Sequence, residues 1–177
     1  MKLVKFLLLL IIMSSTSFSN IKTAYDFEFK SITGENLKLK NFENKVLLVV
    51  NVASNCGFTK QYAGLQKIWD SYKSKGLVVI GIPSNDFNQE LNSKEEVKKF
   101  CETNFSINFP MTDITNVKGS EAHPFYIWAK QTYGSDTIPK WNFYKILINK
   151  NGKIVDTFSS LTKPDSNKLI SAIEKIL

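Results

Sequence analysis

Two apolar runs constrain the fold of this 177-residue chain more than any other feature. The first, VLLVVNV, covers Val46–Val52, and the second covers Leu77–Ile82. Continuous runs rich in β-branched residues are typical of strands that are buried on both faces. Between the runs, apolar residues recur at helical spacing, and Gly76 stands where a helix commonly ends. The pattern predicts a strand, a helix and a second strand parallel to the first, joined by a right-handed crossover.

The remaining segments predict an α/β domain with one mixed central sheet and helices on both of its faces. Turn residues indicate two antiparallel hairpins, and Ser93 with Glu96 forms an S-x-x-E capping box before a helix. No linker-like composition divides residues 20–177, which we expect to form a single domain. The predicted hairpin strands are Phe27–Lys30, Leu37–Leu39, Tyr144–Ile148 and Lys153–Phe158, with a short extra strand at Asn108–Met111.

Residues 1–19 have the layout of a secretory signal peptide. Two lysines precede an apolar run at residues 6–13, and small polar residues follow it. Ser17 and Ser19 occupy the −3 and −1 positions of a cleavage site before Asn20. The apolar run is shorter than the ~20 residues that a membrane span requires, and an uncleaved anchor is the alternative. We expect export to the periplasm or the exterior, with cleavage near Ser19-Asn20.

The composition limits the classes of partner. The net charge is +7, and it falls to +5 without residues 1–19, because that segment carries two lysines and no acidic residue. The lysines are scattered, so we expect a solvated surface and no nucleic-acid site. The two cysteines and the single histidine lie too far apart for a zinc site. His123 precedes Pro124, where a capping or packing role is the better interpretation, and we expect no metal and no other cofactor.

One of the two cysteines stands at a chemically informative point. Cys56, in NVASNCGFTKQY, lies between the first buried strand and its helix. Unpaired N–H groups at a helix N-terminus carry partial positive charge and stabilise a thiolate, which attacks a peroxide oxygen to give a sulfenic acid. In CGFT, Thr59 takes the place of the second cysteine of a redox C-x-x-C, so a local disulfide is impossible. A buried, inert cysteine is the alternative.

The reaction also needs hydrogen-bond donors around the sulfur, which stabilise the leaving alkoxide or hydroxide. Gln89 follows the second buried strand, and loops at the carboxyl ends of parallel strands converge on one site. Trp141 and Asn142, in KWNF, supply an indole N–H and an amide just before a later strand. A tryptophan is more often a core residue, so this pair acquires meaning only together with the other segments.

These segments resemble the signature blocks of the glutathione peroxidase family: NVASNCGFTKQY, PSNDFNQE and WNFYKILI, with FSSLTKP as a further match. The resemblance runs from about Asp26 to the C-terminus. It implies a thioredoxin-like fold and a peroxidase that reduces hydrogen peroxide and organic or lipid hydroperoxides in response to oxidative stress, without metal or haem. The implied catalytic tetrad is Cys56, Gln89, Trp141 and Asn142. In it, Cys56 attacks the peroxide, and the other three residues hydrogen-bond the sulfur and the peroxide oxygens.

The second block departs from the family pattern. One residue separates Phe87 from Gln89 where the family has two, and Leu91 stands in place of a proline. Ser84 and Asp86 replace the usual cysteine and glutamine. The shortened loop makes the position of Gln89 the point of greatest interest in the structure.

A further match concerns the reductant. KKFCETNFSINFP resembles the segment of thioredoxin-dependent members that holds the resolving cysteine, which implies that Cys101 condenses with the sulfenic acid of Cys56. A core role for Cys101 and a permanent 56–101 disulfide are the alternatives. The resemblance implies a thioredoxin-like dithiol protein or glutathione as reductant. The stretch between Ala122 and Trp141 lacks the insertion of tetrameric glutathione-using members, so we expect a monomer.

Two other functions stay open on the sequence. One is a thioredoxin-like thiol–disulfide oxidoreductase, against which the missing second cysteine of CGFT counts. The other is a non-catalytic exported binding module with the same fold.

Overall fold

The computed structural model describes residues 22–177, and the predicted signal peptide lies outside them. The strands in this part of the chain are β1 (Glu28–Lys30), β2 (Asn36–Lys38), β3 (Val46–Val52), β4 (Leu77–Pro83), β5 (Lys145–Ile148) and β6 (Ile154–Phe158). The α-helices are α1 (Gln61–Tyr72), α2 (Lys94–Phe105), α3 (Pro124–Tyr133) and α4 (Asn167–Glu174). None of the described helices is long and apolar enough to cross a membrane.

The central sheet has the strand order β4-β3-β5-β6. β3 pairs in parallel with β4, as the predicted strand–helix–strand unit requires, and antiparallel with β5. β5 and β6 form the hairpin predicted at Asn151-Gly152. Gly152 has a φ of +71°, a left-handed conformation that glycine adopts without a steric penalty. The mixed sheet is therefore confirmed.

The front hairpin is not part of that sheet. β1 and β2 pair only with each other, so the prediction that one sheet accounts for every strand was wrong. The extra strand predicted at Asn108–Met111 was also wrong, because Met111 makes only an isolated bridge, to Gly81 of β4. The adjacent Pro110 has no N–H to donate, which prevents a continuous ladder along this edge of β4.

The sheet separates two cores, because alternate residues of a strand point to opposite faces. Val46, Leu48 and Val50 of β3 contact the core that α1, α2 and α4 cover. Leu47 and Val49 contact the other core, beneath α3 and the front hairpin. Helices thus cover both faces, as predicted, and both cysteines belong to the core beneath α1, α2 and α4.

Two predicted helix starts are confirmed in atomic detail. At α2, the Ser93 hydroxyl accepts the N–H of Glu96 at 3.3 Å, and the Glu96 carboxylate accepts the N–H of Ser93 at 3.1 Å. At α3, His123 Nδ1 accepts the N–H of Phe125 at 3.2 Å. The His123 ring also stacks on Phe29, with centroids 3.9 Å apart, so its capping and packing role is confirmed.

Candidate active site

Cys56 lies in a turn at residues 53–60, after the carboxyl end of β3. The sequence predicted that α1 begins directly after Cys56, but it begins at Gln61. The amide that contacts the sulfur is the N–H of Phe58, which donates to Sγ at 3.4 Å. A local turn, and not the first turn of a helix, therefore supplies the donor that faces the thiol.

Thr59 holds this turn closed. Its Oγ1 accepts the N–H of Cys56 at 3.0 Å and donates to the carbonyl oxygen of Ala53 at 2.9 Å. Its N–H donates to the carbonyl oxygen of Cys56 at 3.0 Å. The residue that replaces the second cysteine of C-x-x-C thus shapes the site, a role that the sequence analysis missed. The signal was present, since threonine hydroxyls commonly bond backbone groups in turns.

The short loop after β4 brings Gln89 into the site. The N–H of Asn55, next to Cys56, donates to the carbonyl oxygen of Gln89 at 2.9 Å. Asn88 has a φ of +56°, a left-handed conformation that asparagine tolerates well and that turns the chain sharply within the shortened loop. Gln89 Oε1 accepts a hydrogen bond from Asn142 Nδ2 at 2.9 Å. Gln89 and Asn142 therefore meet beside the Cys56 turn, even though the loop is one residue short.

The Trp141-Asn142 turn is held by a residue in β3. Asn51 Nδ2 donates to the carbonyl oxygen of Trp141, and Asn51 Oδ1 accepts the N–H of Tyr144, each at 3.1 Å. Phe143 has a φ of +63°, which for a bulky residue costs on the order of 1–3 kcal/mol. This role of Asn51 was not predicted, although a polar residue inside the buried run VLLVVNV was a visible signal.

The two members of the WN pair differ in exposure. Trp141 is 42% exposed, and its ring packs against Phe87 with centroids 5.2 Å apart. Asn142 is fully buried. The core interpretation of Trp141 is thus excluded, because its indole lies at the surface over the loop that carries Gln89.

Unpaired polar atoms gather at this end of the sheet. Leaving a buried polar atom without a partner costs about 1–3 kcal/mol, so native proteins keep few of them. Within residues 22–177, the buried side-chain nitrogen and oxygen atoms without a hydrogen-bond partner are Ser54 Oγ, Tyr62 Oη, Glu90 Oε2 and Asn142 Oδ1. All four belong to the segments that surround the Cys56 turn. This concentration is typical of a region organised for chemistry and not for stability alone.

Cys101 lies in α2 and is 1% exposed. Burial raises the pKa of Cys101 to about 11, with the Tyr62 hydroxyl opposing the rise and the Glu90 carboxylate adding to it. The Tyr62 hydroxyl faces this thiol, but the two groups do not reach hydrogen-bonding geometry. Burial also raises the pKa of Glu90, whose Oε1 accepts the N–H of Ser54 at 3.0 Å. Cys101 is thus a neutral thiol at neutral pH.

Both cysteines are free thiols in this structure, so the permanent-disulfide alternative does not describe it. Within the described residues, no three His, Cys, Asp or Glu side chains come together in a way that could hold a metal ion.

A groove of about 630 Å³ lies beside the Cys56 turn. One side chain at its rim, Leu161, is 78% exposed. The apolar residues in its lining are Phe58, Ala63, Leu161 and Pro164, and three basic residues (Lys60, Lys67 and Lys163) outnumber one acidic residue (Asp165). This combination suits a molecule with an apolar chain and a negative charge.

Comparison with known proteins identifies the family of this chain. The sequence pattern of the family described as glutathione peroxidase matches residues 24–130. Glutathione peroxidase-like peroxiredoxin 2 of Saccharomyces cerevisiae is 44% identical over 147 residues, which cover 80% of this chain and 90% of that protein. Hydroperoxy fatty acid reductase gpx1 of Synechocystis sp. is 39% identical over 164 residues, which cover 88% of this chain and 96% of that protein. A crystal structure of Trgpx in apo form matches with a TM-score of 0.67 and 33% identity, covering 87% of this chain and 97% of that one.

The similarity extends over most of the chain and carries a common thioredoxin-like fold. The chain therefore belongs to the glutathione peroxidase family.

Proposed function

We propose that this thiol-dependent peroxidase reduces hydroperoxides through Cys56 and takes part in the response to oxidative stress. The Cys56 sulfur attacks the terminal peroxide oxygen, the O–O bond breaks, and the sulfur is oxidised by two electrons to a sulfenic acid. The leaving oxygen takes a proton and departs as an alcohol, or as water when hydrogen peroxide is the substrate. The observation that carries this proposal is the meeting of the Cys56 turn with the Gln89–Asn142 pair.

Gln89, Trp141 and Asn142 are the donors in this proposal. Gln89 accepts through Oε1 and therefore keeps its two amide N–H groups for an incoming oxygen. The exposed Trp141 indole offers one N–H at the opening of the site. Donors that are already fixed before the reaction stabilise the charge on the leaving oxygen without reorganisation.

Cys101 resolves the sulfenic acid. Its sulfur attacks the Cys56 sulfur, an S–S bond forms, the S–O bond breaks, and the hydroxyl leaves as water with the thiol proton. Because Cys101 is buried and its pKa is about 11, α2 must open before this step. A thioredoxin-like dithiol protein then reduces the disulfide by exchange, and glutathione is the other candidate reductant. A yeast relative named as a peroxiredoxin is consistent with the dithiol route.

The groove beside the Cys56 turn favours a hydroperoxide substrate that carries an acyl chain and a carboxylate. Leu161 and Phe58 would contact the chain, and Lys67 would attract the charge. The Synechocystis relative, named as a hydroperoxy fatty acid reductase, is consistent with this substrate class. We expect Leu161→Asp to lower the rate with a fatty acid hydroperoxide while leaving the rate with hydrogen peroxide unchanged. Equal losses with both substrates would contradict the groove assignment.

Export after cleavage near Ser19-Asn20, and a monomeric state, complete the proposal. N-terminal sequencing of the protein recovered outside the cytoplasm would begin at Asn20, whereas an intact N-terminus would contradict cleavage. A sedimentation experiment on the mature chain would report the mass of one copy, and a larger mass would contradict the monomer.

The direct test of the function is peroxide consumption with thioredoxin as reductant. Replacing Cys56 with serine should abolish consumption, because a hydroxyl is a far weaker nucleophile than a thiolate. The Cys101→Ser variant serves as the matched control, since it removes the other thiol and should still consume one equivalent of peroxide. Sustained consumption by Cys56→Ser would contradict the proposed function. A thiol–disulfide oxidoreductase would instead reduce protein disulfides without consuming peroxide.

A further inference from the structure

Lys145 is a fully buried lysine at the start of β5. Among the ion pairs of the described residues, none includes it. Burial lowers the pKa of Lys145 to about 7, because an ammonium group without a carboxylate partner is costly to remove from water. A buried amine of this kind works against stability, so its presence calls for a reason other than packing.

The hydrogen bonds of Lys145 connect the start of α1, which follows the Cys56 turn, with the segment that carries Trp141 and Asn142. Its Nζ donates to Gln61 Oε1 and to the carbonyl oxygen of Phe143, each at 2.8 Å. Gln61 is the first residue of α1, directly after the Cys56 turn, and Phe143 directly follows Asn142. Gln61 Nε2 in turn donates to the carbonyl oxygen of Ser160, beside the groove residue Leu161.

The Phe143 end of this link bears on the strained part of the site. The left-handed Phe143 is held from one side by Asn51, whose carbonyl oxygen accepts the N–H of Phe143 at 2.6 Å. Lys145 holds the carbonyl oxygen of the same residue. A backbone conformation of this kind persists only where several contacts hold it in place. The ring of Phe143 also packs against Tyr62 of α1, with centroids 5.3 Å apart. Without the lysine, the turn that carries Trp141 and Asn142 keeps this packing but loses its hydrogen-bonded connection to the helix after Cys56.

We propose that Lys145 is a positioning residue of the peroxidase reaction, which fastens the Trp141-Asn142 turn to the start of α1 and keeps the donors in register with Cys56. The inference rests on the proposed function. A neutral amine has two N–H groups and an ammonium has three, so both forms satisfy the two acceptors. The link therefore holds on either side of neutral pH.

The test replaces Lys145 with methionine, which keeps the length of the side chain and removes its donors. A displacement of about 1 Å at a reacting group can lower a rate by about 100-fold, so we expect Cys56 oxidation by peroxide to slow by about 10- to 100-fold. Reduction of the preformed Cys56–Cys101 disulfide by thioredoxin should stay within about twofold of wild type, since that step uses none of these donors. The melting temperature should change by no more than a few degrees, because removing a buried amine offsets part of the cost of leaving the Phe143 carbonyl oxygen unpaired.

The control is Lys153→Met, which removes an exposed lysine from the β5–β6 hairpin and should change neither half-reaction. An unchanged oxidation rate in Lys145→Met would overturn the proposal, and so would a parallel fall in both half-reactions and in the melting temperature. If Lys145→Met does not fold, Gln61→Met tests the other end of the link, at a half-buried position. It should slow oxidation by about 3- to 10-fold, and wild-type oxidation would again contradict the link.

Loss of the proposed function itself would give a different pattern. If wild-type protein did not consume peroxide, or if Cys56→Ser still did, the peroxidase assignment would fail before the lysine variants were compared.

Discussion

The two cysteines share one core but sit in opposite kinds of structure. Cys56 lies in an irregular turn, among unpaired polar atoms and beside the left-handed residues Asn88 and Phe143. Cys101 lies in α2, a regular helix that begins at a complete capping box and buries the thiol almost fully. Both thiols are buried, Cys56 with 8% and Cys101 with 1% of its surface exposed. A backbone N–H of the turn faces the first thiol, whereas burial within a helix raises the pKa of the second.

The two thiols of this peroxidase therefore differ in the stability of the local structure around them as well as in position. Local structure opens at a free energy that depends on its contacts and caps. The Cys56 turn already holds a donor against its thiol, whereas we expect the capped helix α2 to open before Cys101 can react. We therefore propose that Cys56 is oxidised before Cys101 reacts. The predictions below test this contrast, from the largest expected effect to the smallest.

Removing the Cys101 thiol should stop the catalytic cycle after one turnover. We expect Cys101→Ser to lower thioredoxin-dependent turnover by about 1,000-fold, because an isolated sulfenic acid offers no disulfide for exchange. The first oxidation should proceed at the wild-type rate, since Cys101 is not one of the donors. Stopped-flow peroxide consumption with and without thioredoxin measures both steps. Full turnover in this variant would remove the resolving role and leave the attack by Cys56 intact.

Removing a hydrogen bond near Cys56 should slow the oxidation of Cys56 by peroxide. Asn142→Ala removes the hydrogen bond to Gln89 and should lower the rate of Cys56 oxidation by about 100-fold, through loss of an oriented donor. Asn149→Ala is the matched control, because that side chain bonds only backbone in the β5–β6 hairpin. Rapid mixing of each variant with peroxide measures the rate of Cys56 oxidation. Similar losses in the two variants would indicate a general loss of stability instead.

The pH dependence of stability should reveal the buried thiol. The pKa of Cys101 is raised to about 11 in the folded state, so the unfolded chain loses this proton first as pH rises. The stabilisation is complete below the unfolded pKa, near 9, and is lost as pH rises through 11. We expect wild type to lose about 2 kcal/mol more than Cys101→Ser across that window, by urea unfolding. Parallel pH profiles for the two proteins would contradict a buried neutral thiol.

Destabilising the N-terminal cap of α2 should accelerate formation of the Cys56–Cys101 disulfide. Ser93→Ala removes a cap whose loss typically costs about 1 kcal/mol, which raises the open population of α2 by about fivefold. Disulfide formation after oxidation should become faster by the same factor. Ser166→Ala, at the cap of α4, loses a similar contact and should not change this rate. A slower or unchanged step in Ser93→Ala would indicate that α2 does not limit resolution.

Much of this contrast was predictable from the sequence, because it rests on local signals. The buried runs predicted the parallel pair, and the Ser93–Glu96 pair predicted the start of α2. The convergence of loops at the strand ends predicted that Gln89 lies near Cys56, and the family resemblance implied that Asn142 joins them. These features depend on patterns that repeat along a few neighbouring residues.

Other features depended on contacts between distant segments and were missed. The start of α1 was placed too early, because the bonds of Thr59 that extend the turn could not be weighed against helix formation. The front hairpin was assigned to the central sheet, since strand pairing partners are not encoded locally. The roles of Asn51 and Lys145 likewise required coordinates, although each was visible as a polar residue inside an apolar run.

The central claim is that Cys56 is oxidised first, in its irregular turn, and that Cys101 reacts only afterwards. Reduced protein mixed with one equivalent of peroxide, quenched at increasing times and mapped by mass spectrometry, tests this order directly. The account predicts a sulfenic acid on Cys56 at the earliest times, followed by a Cys56–Cys101 disulfide. Initial oxidation at Cys101, with Cys56 still reduced, would contradict it.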